Sequence, residues 1–267
     1  MLTEPSFPKC LTIITVTLND PDGLKKTLEN VAQLLAKDAT IEHVIIDGAS
    51  SYDVGALVSE MSPKSLLVSE PDEGIYDAMN KGVKLAKGRY FNFINSGDLF
   101  IWERLFDAVP LFEEKYDFIY GDAHEIDADC CLFKKANHHS CVAGGMFTHH
   151  QAMLFNRRFV VSAGLKHDVQ LRIAGDWDFV IKFMKLKPRV LYLPISLCIF
   201  NDGGISKRHI EMSRDEVLAV RLAHFGERSA KWRRFVQDSA SFLRRLSPRT
   251  YFFFRQAYVN LQHKYNG

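Results

Sequence analysis

Leu11-Thr-Ile-Ile-Thr-Val-Thr17 is the stretch that most restricts the fold: seven consecutive residues, β-branched or apolar, with no wet face. A strand of that kind has to be covered on both sides, the condition of a parallel sheet flanked by helices. The following residues keep to that plan. Asn19 or Asp20 can cap a helix with Pro21 in its first turn, and Leu24, Leu28, Val31 and Leu35 recur at helical spacing. Ile41–Ile46 predicts a second strand, Val54–Met61 a short helix, and Ser65–Ser69 a third strand. A helix from Ile75 to about Ala86 and a strand Tyr90–Ile94 complete the run. Strands alternating with helices mean βαβ units.

Ligands of such sheets sit in the crevice beyond the carboxyl ends of the strands. The polar residues there are Thr17–Asp20, Asp47, Glu70–Asp72 and Asn95–Asp98, so each of four successive strand ends carries a carboxylate. Past Asp98 the pattern is mixed. It predicts a helix over 103–114, a strand Phe118–Tyr120, and a hairpin Ile126–Phe133 turning at Asp127-Ala-Asp129. A His-rich loop (His138, His139, His149, His150) leads to an apolar segment Ala152–Phe155. Gly175-Asp-Trp-Asp178 then opens a helix Phe179–Leu186, followed by a strand Val190–Leu193.

Composition excludes whole classes. With 47% hydrophobic and 25% charged residues the chain is neither disordered nor collagen-like. Five cysteines without framework spacing exclude a disulfide scaffold, and the thiols are expected to be free in a reducing, cytoplasmic setting. Met1–Lys9 has two prolines and no apolar run, unlike a signal peptide. The longest apolar stretch, Val190–Phe200, is broken by Pro194 and is about half a membrane span. The formal charge of +2 conceals a division: residues 1–206 hold 21 basic and 27 acidic side chains, residues 207–267 hold 13 and 5. We therefore expect a domain at 1–205 and a basic, aromatic helical extension at 206–267, in which Arg221, Arg228, Arg233, Arg234, Arg244 and Arg245 mix with Trp232, Phe235, Phe242 and Phe252. Such an extension either lies on an anionic membrane surface or packs its aromatics on the domain. No nucleic-acid-binding module accompanies the charge, so nucleic acid is not an expected partner.

Two segments carry a resemblance. The strand 11–17 with Val44-Ile-Ile-Asp-Gly-Ala-Ser50 resembles the opening of family 2 glycosyltransferases. The run Ser69-Glu-Pro-Asp-Glu-Gly-Ile-Tyr-Asp-Ala-Met-Asn-Lys-Gly82, with Phe93-Ile-Asn-Ser-Gly-Asp98, looks like a bacterial branch that builds colanic acid, capsule and lipopolysaccharide. The likeness covers roughly residues 10–205. It implies a GT-A fold, α/β with a mostly parallel sheet, and an inverting transfer from a nucleotide sugar, UDP-linked, to a glycan or lipid-linked acceptor. Peripheral attachment to the inner face of the cytoplasmic membrane would suit such an acceptor.

By the same resemblance Thr17, Asp47, Asp72, Asp77 and Asn95 would face the nucleotide sugar. Asp98 would hold a divalent cation, Mg²⁺ or Mn²⁺, that neutralises the diphosphate. Asp176 would be the base, and His150, Gln151, Gly203 and Gly204 would line the acceptor or form a lid. Two departures stand out: the usual Asp-x-Asp reads Asn95-Ser-Gly-Asp98, and the usual Glu-Asp-x-Asp reads Gly175-Asp-Trp-Asp178. They leave open a non-catalytic nucleotide-sugar-binding scaffold of a glycan assembly complex. Local alternatives also remain: Asp77 as a helix first-turn carboxylate, Asp98 as the cap of a helix near Trp102, and Asp176 as the cap of the following helix. Nucleotidyl transfer lacks its Gly-rich, Lys-bearing loop after the first strand.

Overall fold

The computed structural model describes residues 9–109, 115–127, 130–201 and 209–227. β1 (Leu11–Thr17) is buried along its full length. Its side chains divide between two cores: Leu11 and Ile13 join Val31, Leu34 and Tyr90, while Ile14 and Val16 join Val44, Phe91, Phe93 and Phe155. Each such side chain removed from water contributes about 1.5–3 kcal/mol, which is why no residue of this strand alternates to a polar exterior.

α1 (Pro21–Lys37) leads to β2 (Ile41–Asp47), α2 (Val54–Met61) to β3 (Leu66–Ser69), and α3 (Ile75–Leu85) to β4 (Tyr90–Phe93). β2 and β4 flank β1 in parallel, and β3 runs parallel outside β2. Of the two possible caps, Asp20 takes α1, accepting from Gly23 N at 3.1 Å. Asn19 instead adopts φ 52° and accepts from Ser51 N and Oγ at 2.8 and 3.0 Å.

The second half is built from β5 (Leu99–Phe100), α4 (Leu105–Ala108), β6 (Phe118–Asp127), β7 (Cys130–Lys134), β8 (Met153–Asn156), α5 (Arg157–Ser162), α6 (Gly175–Lys185) and β9 (Val190–Asn201), after which residues 210–227 are helical (α7). Among the described residues the sheet order is β3-β2-β1-β4-β8-β6-β9-β5, with β7 paired to β6. β8 runs antiparallel to both β4 and β6, so its leading residues arrive at the carboxyl edge of β4.

Several expected boundaries move. The helix expected over 103–114 is helical at Leu105–Ala108, residues 110–114 lying outside the described ones. β6 runs far past Tyr120, because β7 and β9 both pair with it. β9 continues through Pro194 to Asn201: the pairing with β6 slips between Gly121 and Ala123, and this bulge accommodates the residue that cannot donate. Gly121 is required there, since a Cβ would stand 2.6 Å from the Ile195 carbonyl oxygen. α6 starts at Gly175, four residues before the expected Phe179.

The extension expected from residue 206 does not stand apart over its described part. Val220 of α7 is buried against Ala174, Trp177 and Ile181, and Arg221, 5% exposed, lies over the Trp177 ring and donates to the Gly144 carbonyl. All five cysteines are free thiols. Among the described residues no helix is long and apolar enough to cross a membrane.

Candidate active site

Parallel register brings the polar strand ends side by side. Thr17 is level with Asp47, and Asp47 with Ser69. Asp47 is 1% exposed and its carboxylate is held on both oxygens. Ser50 Oγ donates at 2.5 Å to Oδ1 and Ser69 Oγ at 2.6 Å to Oδ2, with the Ser50 amide 3.2 Å from each. Asp72 stands against Gly48, where a Cβ would meet its Oδ2 at 2.6 Å, and it accepts from Gly74 N at 2.9 Å. Asp47, Gly48 and Asp72 thus form one wall. Asp77 does not join it. It pairs with Lys81 at 3.3 Å and accepts from Glu73 N, the first-turn role, because Lys81 one helical turn on draws it along α3.

Beyond β4 the chain turns through Gly97, φ 92°. Thr27 Oγ1 donates to the Asp98 carbonyl at 2.8 Å and Ser96 Oγ to the Asp20 carboxylate at 2.8 Å, fixing this turn to α1. Asp98 is buried, and its Oδ2 accepts from Gln151 Nε2 at 2.6 Å. It caps no helix: the residue preceding α4 is Arg104. Asn95 Nδ2 lies 3.2 Å from His150 Nε2, and His150 Nδ1 lies 3.4 Å from Asp176 Oδ2. The antiparallel entry of β8 therefore sets His150 and Gln151 against Asn95 and Asp98, although more than fifty residues separate them. With Asn95 donating to Nε2, the ring proton sits on Nδ1, the nitrogen 3.4 Å from Asp176 Oδ2.

Asp176 is in the first turn of α6, not at its cap, which is Ala174 and has no side chain to accept a hydrogen bond. Burial by itself would raise its pKa. His150 and the Trp177 amide 2.7 Å from Oδ1 outweigh burial and hold the carboxyl below the usual range. Asp178 faces away, bound to His224 Nε2 and Lys182 Nζ at 2.6 Å each. Between them the two carboxylates divide the work: Asp178 fixes the helix, and Asp176 points toward a cavity of about 240 Å³ lined by Lys134, Lys135, Asn137, Met146, Phe147, Thr148, His149 and His150.

The missing acidic neighbour of Asp176 has a steric cause. A Cβ on Gly175 would stand 2.5 Å from the Tyr76 ring. That ring cannot withdraw, since its hydroxyl donates to the Ile173 carbonyl at 2.7 Å and its face stacks on His167, itself stacked on Phe179. Burial lowers the His167 pKa to about 3, so this histidine is neutral. Sequence reasoning missed Tyr76, His167 and the two lysines. Tyr76 lies within the quoted 69–82 run, and only the shape of the fold sets it over Gly175. His139 opens a short turn, residues His139–Gly144, that His138 caps, and neither lines the cavity. Gly203 and Gly204 lie outside the described residues.

Among the described residues no three His, Cys, Asp or Glu groups converge as a metal site. The oxygen donors in this part of the site are the carboxylate of Asp98, to which the Gln151 amide donates, and two buried amide oxygens that have no hydrogen-bond partner, Asn95 Oδ1 and Gln151 Oε1. All are hard oxygen donors of the kind Mg²⁺ and Mn²⁺ take, and few protein ligands are needed where waters and phosphates fill the remaining positions.

This sheet, with its polar crevice at the carboxyl ends and an aspartate opening a helix opposite, is a nucleotide-diphospho-sugar transferase fold of the GT-A type. Residues 12–167 match the family described as Glycosyl transferase family 2, and the chain belongs to that family. It is similar to an uncharacterized glycosyltransferase of Mycobacterium tuberculosis, 30% identical over 202 residues, which are 73% of this chain and 76% of the relative. Among solved structures it resembles Staphylococcus aureus TarS 1–349 in complex with UDP, at TM-score 0.62 and 18% identity over 82% of this chain and 67% of that one. It also resembles the mannosyltransferase PcManGT of Pyrobaculum calidifontis in complex with GDP-Man and Mn²⁺, at TM-score 0.59 and 15% identity over 98% and 88%. The protein is a glycosyltransferase.

Proposed function

We propose that the chain moves a sugar from a UDP-sugar to a hydroxyl of a glycan or lipid-linked acceptor in bacterial surface polysaccharide synthesis, inverting the anomeric centre. The observation that carries this reading is the line of contacts Asn95–His150–Asp176, 3.2 Å and then 3.4 Å, which joins the crevice at the strand ends to the wall of the 240 Å³ cavity. The donor lies along the strand ends, with the base against Asp47 and Thr17 and the ribose side against Asp72. The acceptor enters the cavity. Asp176 takes the acceptor proton as the acceptor oxygen bonds to the anomeric carbon. The bond from that carbon to the phosphate oxygen breaks, and the nucleoside diphosphate leaves with the electron pair. A low pKa keeps Asp176 ionised and ready to accept, and its tie to His150 fixes the direction from which it does so.

Asp98, with Asn95 and Gln151 offering amide oxygens, would hold the divalent cation, whose charge supports the leaving diphosphate. The TarS complex with UDP and the PcManGT complex with Mn²⁺ support both halves of this reading by analogy of fold. For the membrane, the burial of Arg221 moves the proposed contact to the basic, aromatic sequence from Arg228 onward.

The test is release of UDP from a panel of UDP-sugars with Mg²⁺ or Mn²⁺ and a lipid-linked acceptor, in the wild-type chain and in Asp176→Asn. Retained UDP binding with transfer reduced about 10²–10⁴-fold supports the base; unchanged turnover in that variant sinks it. UDP binding without transfer by the wild-type chain would favour the scaffold.

A further inference from the structure

Residues 172–174 form a strap across the site. On the donor side, the Arg172 guanidinium donates to the Glu73 carbonyl, in the turn that follows Asp72. In the middle, Tyr76 OH donates to the Ile173 carbonyl at 2.7 Å. On the far side the strap runs straight into α6 and Asp176. Its own amides precede the helix, where neither Ala174 nor Gly175 has a side chain that accepts. Unpaired amides at a partly buried helix entry leave the backbone free to tilt, and with it the first turn.

Glu216 of α7, 44 residues downstream of Arg172, pairs all three amides. Its Oε1 accepts from Arg172 N at 2.8 Å, and its Oε2 accepts from Ile173 N at 2.8 Å and Ala174 N at 2.9 Å. Three charge-assisted bonds to consecutive amides fix the backbone in position and orientation together. α7 is a firm base for this: His224 holds Asp178 one turn into α6, Val220 is buried against Trp177, and Arg221 reaches the Gly144 carbonyl. The carboxylate that holds the strap comes from a helix outside the segment resembling the family.

We propose that Glu216 is a positioning residue for catalysis, a latch by which α7 sets the strap 172–174 and thereby aims the Asp176 carboxylate at His150 and the acceptor cavity. The inference rests on the reading of Asp176 as the base. Displacement of a reacting group by about 1 Å costs on the order of 10²-fold in rate, so release of the strap acts on turnover and not on donor binding.

The experiment compares full-length wild type, Glu216→Ala and Glu216→Gln. It measures amide hydrogen exchange over 172–174, UDP affinity, and kcat with whichever UDP-sugar of the panel is turned over, per folded molecule as fixed by circular dichroism. In Glu216→Ala we expect exchange over the strap to rise tenfold or more and kcat to fall tenfold or more, with UDP affinity within twofold. Glu216→Gln keeps an accepting oxygen and its fold, and is expected to recover most of the lost kcat. A structural role alone would lower the unfolding temperature and leave kcat per folded molecule unchanged. Glu216→Ala, or Glu216→Met (similar length, no accepting oxygen) should the alanine variant not fold, showing wild-type kcat per folded molecule overturns the latch alone. A wild-type chain inert toward the whole panel overturns the reading of Asp176 and the latch's purpose with it.

Discussion

Replacement of Gly175 by alanine adds a single methyl group beside the proposed base, and the structure says where it must go. The new carbon would stand 2.5, 2.6 and 2.8 Å from three atoms of the Tyr76 ring. Comfortable carbon contacts are about 3.5–4.0 Å, so ring and helix have to separate by about 1 Å. The ring is 5% exposed and pinned by its bond to the Ile173 carbonyl and by its stack on His167, so the helix gives way as much as the ring does. Overpacking of this kind costs about 1–3 kcal/mol. Alanine returns about 1 kcal/mol over glycine in a helix, leaving a net loss of roughly 0–2 kcal/mol. Catalysis should suffer more, since Asp176 is the next residue and about 1 Å of misplacement is worth on the order of 10²-fold. Urea denaturation gives the first quantity and UDP-sugar turnover the second. The same substitution in a Tyr76→Leu background tests the cause, for there the methyl group has room and its cost should shrink by about 1 kcal/mol or more. Gly175→Ala as stable and as active as wild type, or equally costly without Tyr76, would refute the reasoning.

Other outcomes follow from the same geometry. Asp98→Asn should remove the dependence of turnover on Mg²⁺ or Mn²⁺ together with most of the turnover, read as a metal titration of UDP release, while Asp77→Asn leaves that titration in place. Stability should fall in mild acid. His43, between Thr15 Oγ1 and Ser65 Oγ, and His167 are held neutral by burial, with pKa lowered from 6.5 to about 3 in each. The unfolded chain takes up those protons first. The stabilisation is therefore complete above pH 6.5 and declines by ~1.4 kcal/mol per pH unit for each ring below it, about 2 kcal/mol each by pH 5. Equal urea midpoints at pH 7.5 and 5 would contradict it. A chain ending after Glu227 keeps α7 and should retain transfer while no longer co-sedimenting with anionic vesicles; retained co-sedimentation would count against the basic residues beyond it as the membrane contact.

The first four strands show how far a linear reading reaches. β1 could be read because burial on both faces imposes one composition on consecutive residues, and the carboxylates at Asp47, Asp72 and Asp98 could be found because a parallel sheet delivers every strand end to one edge. Boundaries were lost where a partner decides them: β6 extends to Asp127 and β9 passes Pro194 because each pairs with the other, and neither carries that information locally. The pairing of Asp77 with Lys81 becomes visible only in the folded helix.

What the sequence by itself determined is therefore everything that depends on neighbours along the chain: the helix spacing, the caps, the strands that must be covered, and the residues that bear charge at their ends. The tertiary structure alone decided which of those residues meet. His150 reaches both Asn95 and Asp176 because β8 runs antiparallel into the site, Gly175 is glycine because Tyr76 occupies the space a side chain would need, and Glu216 finds three amides far upstream because α7 folds back onto α6. Contacts of that kind depend on distance in space, which the chain acquires only after its apolar faces have been buried.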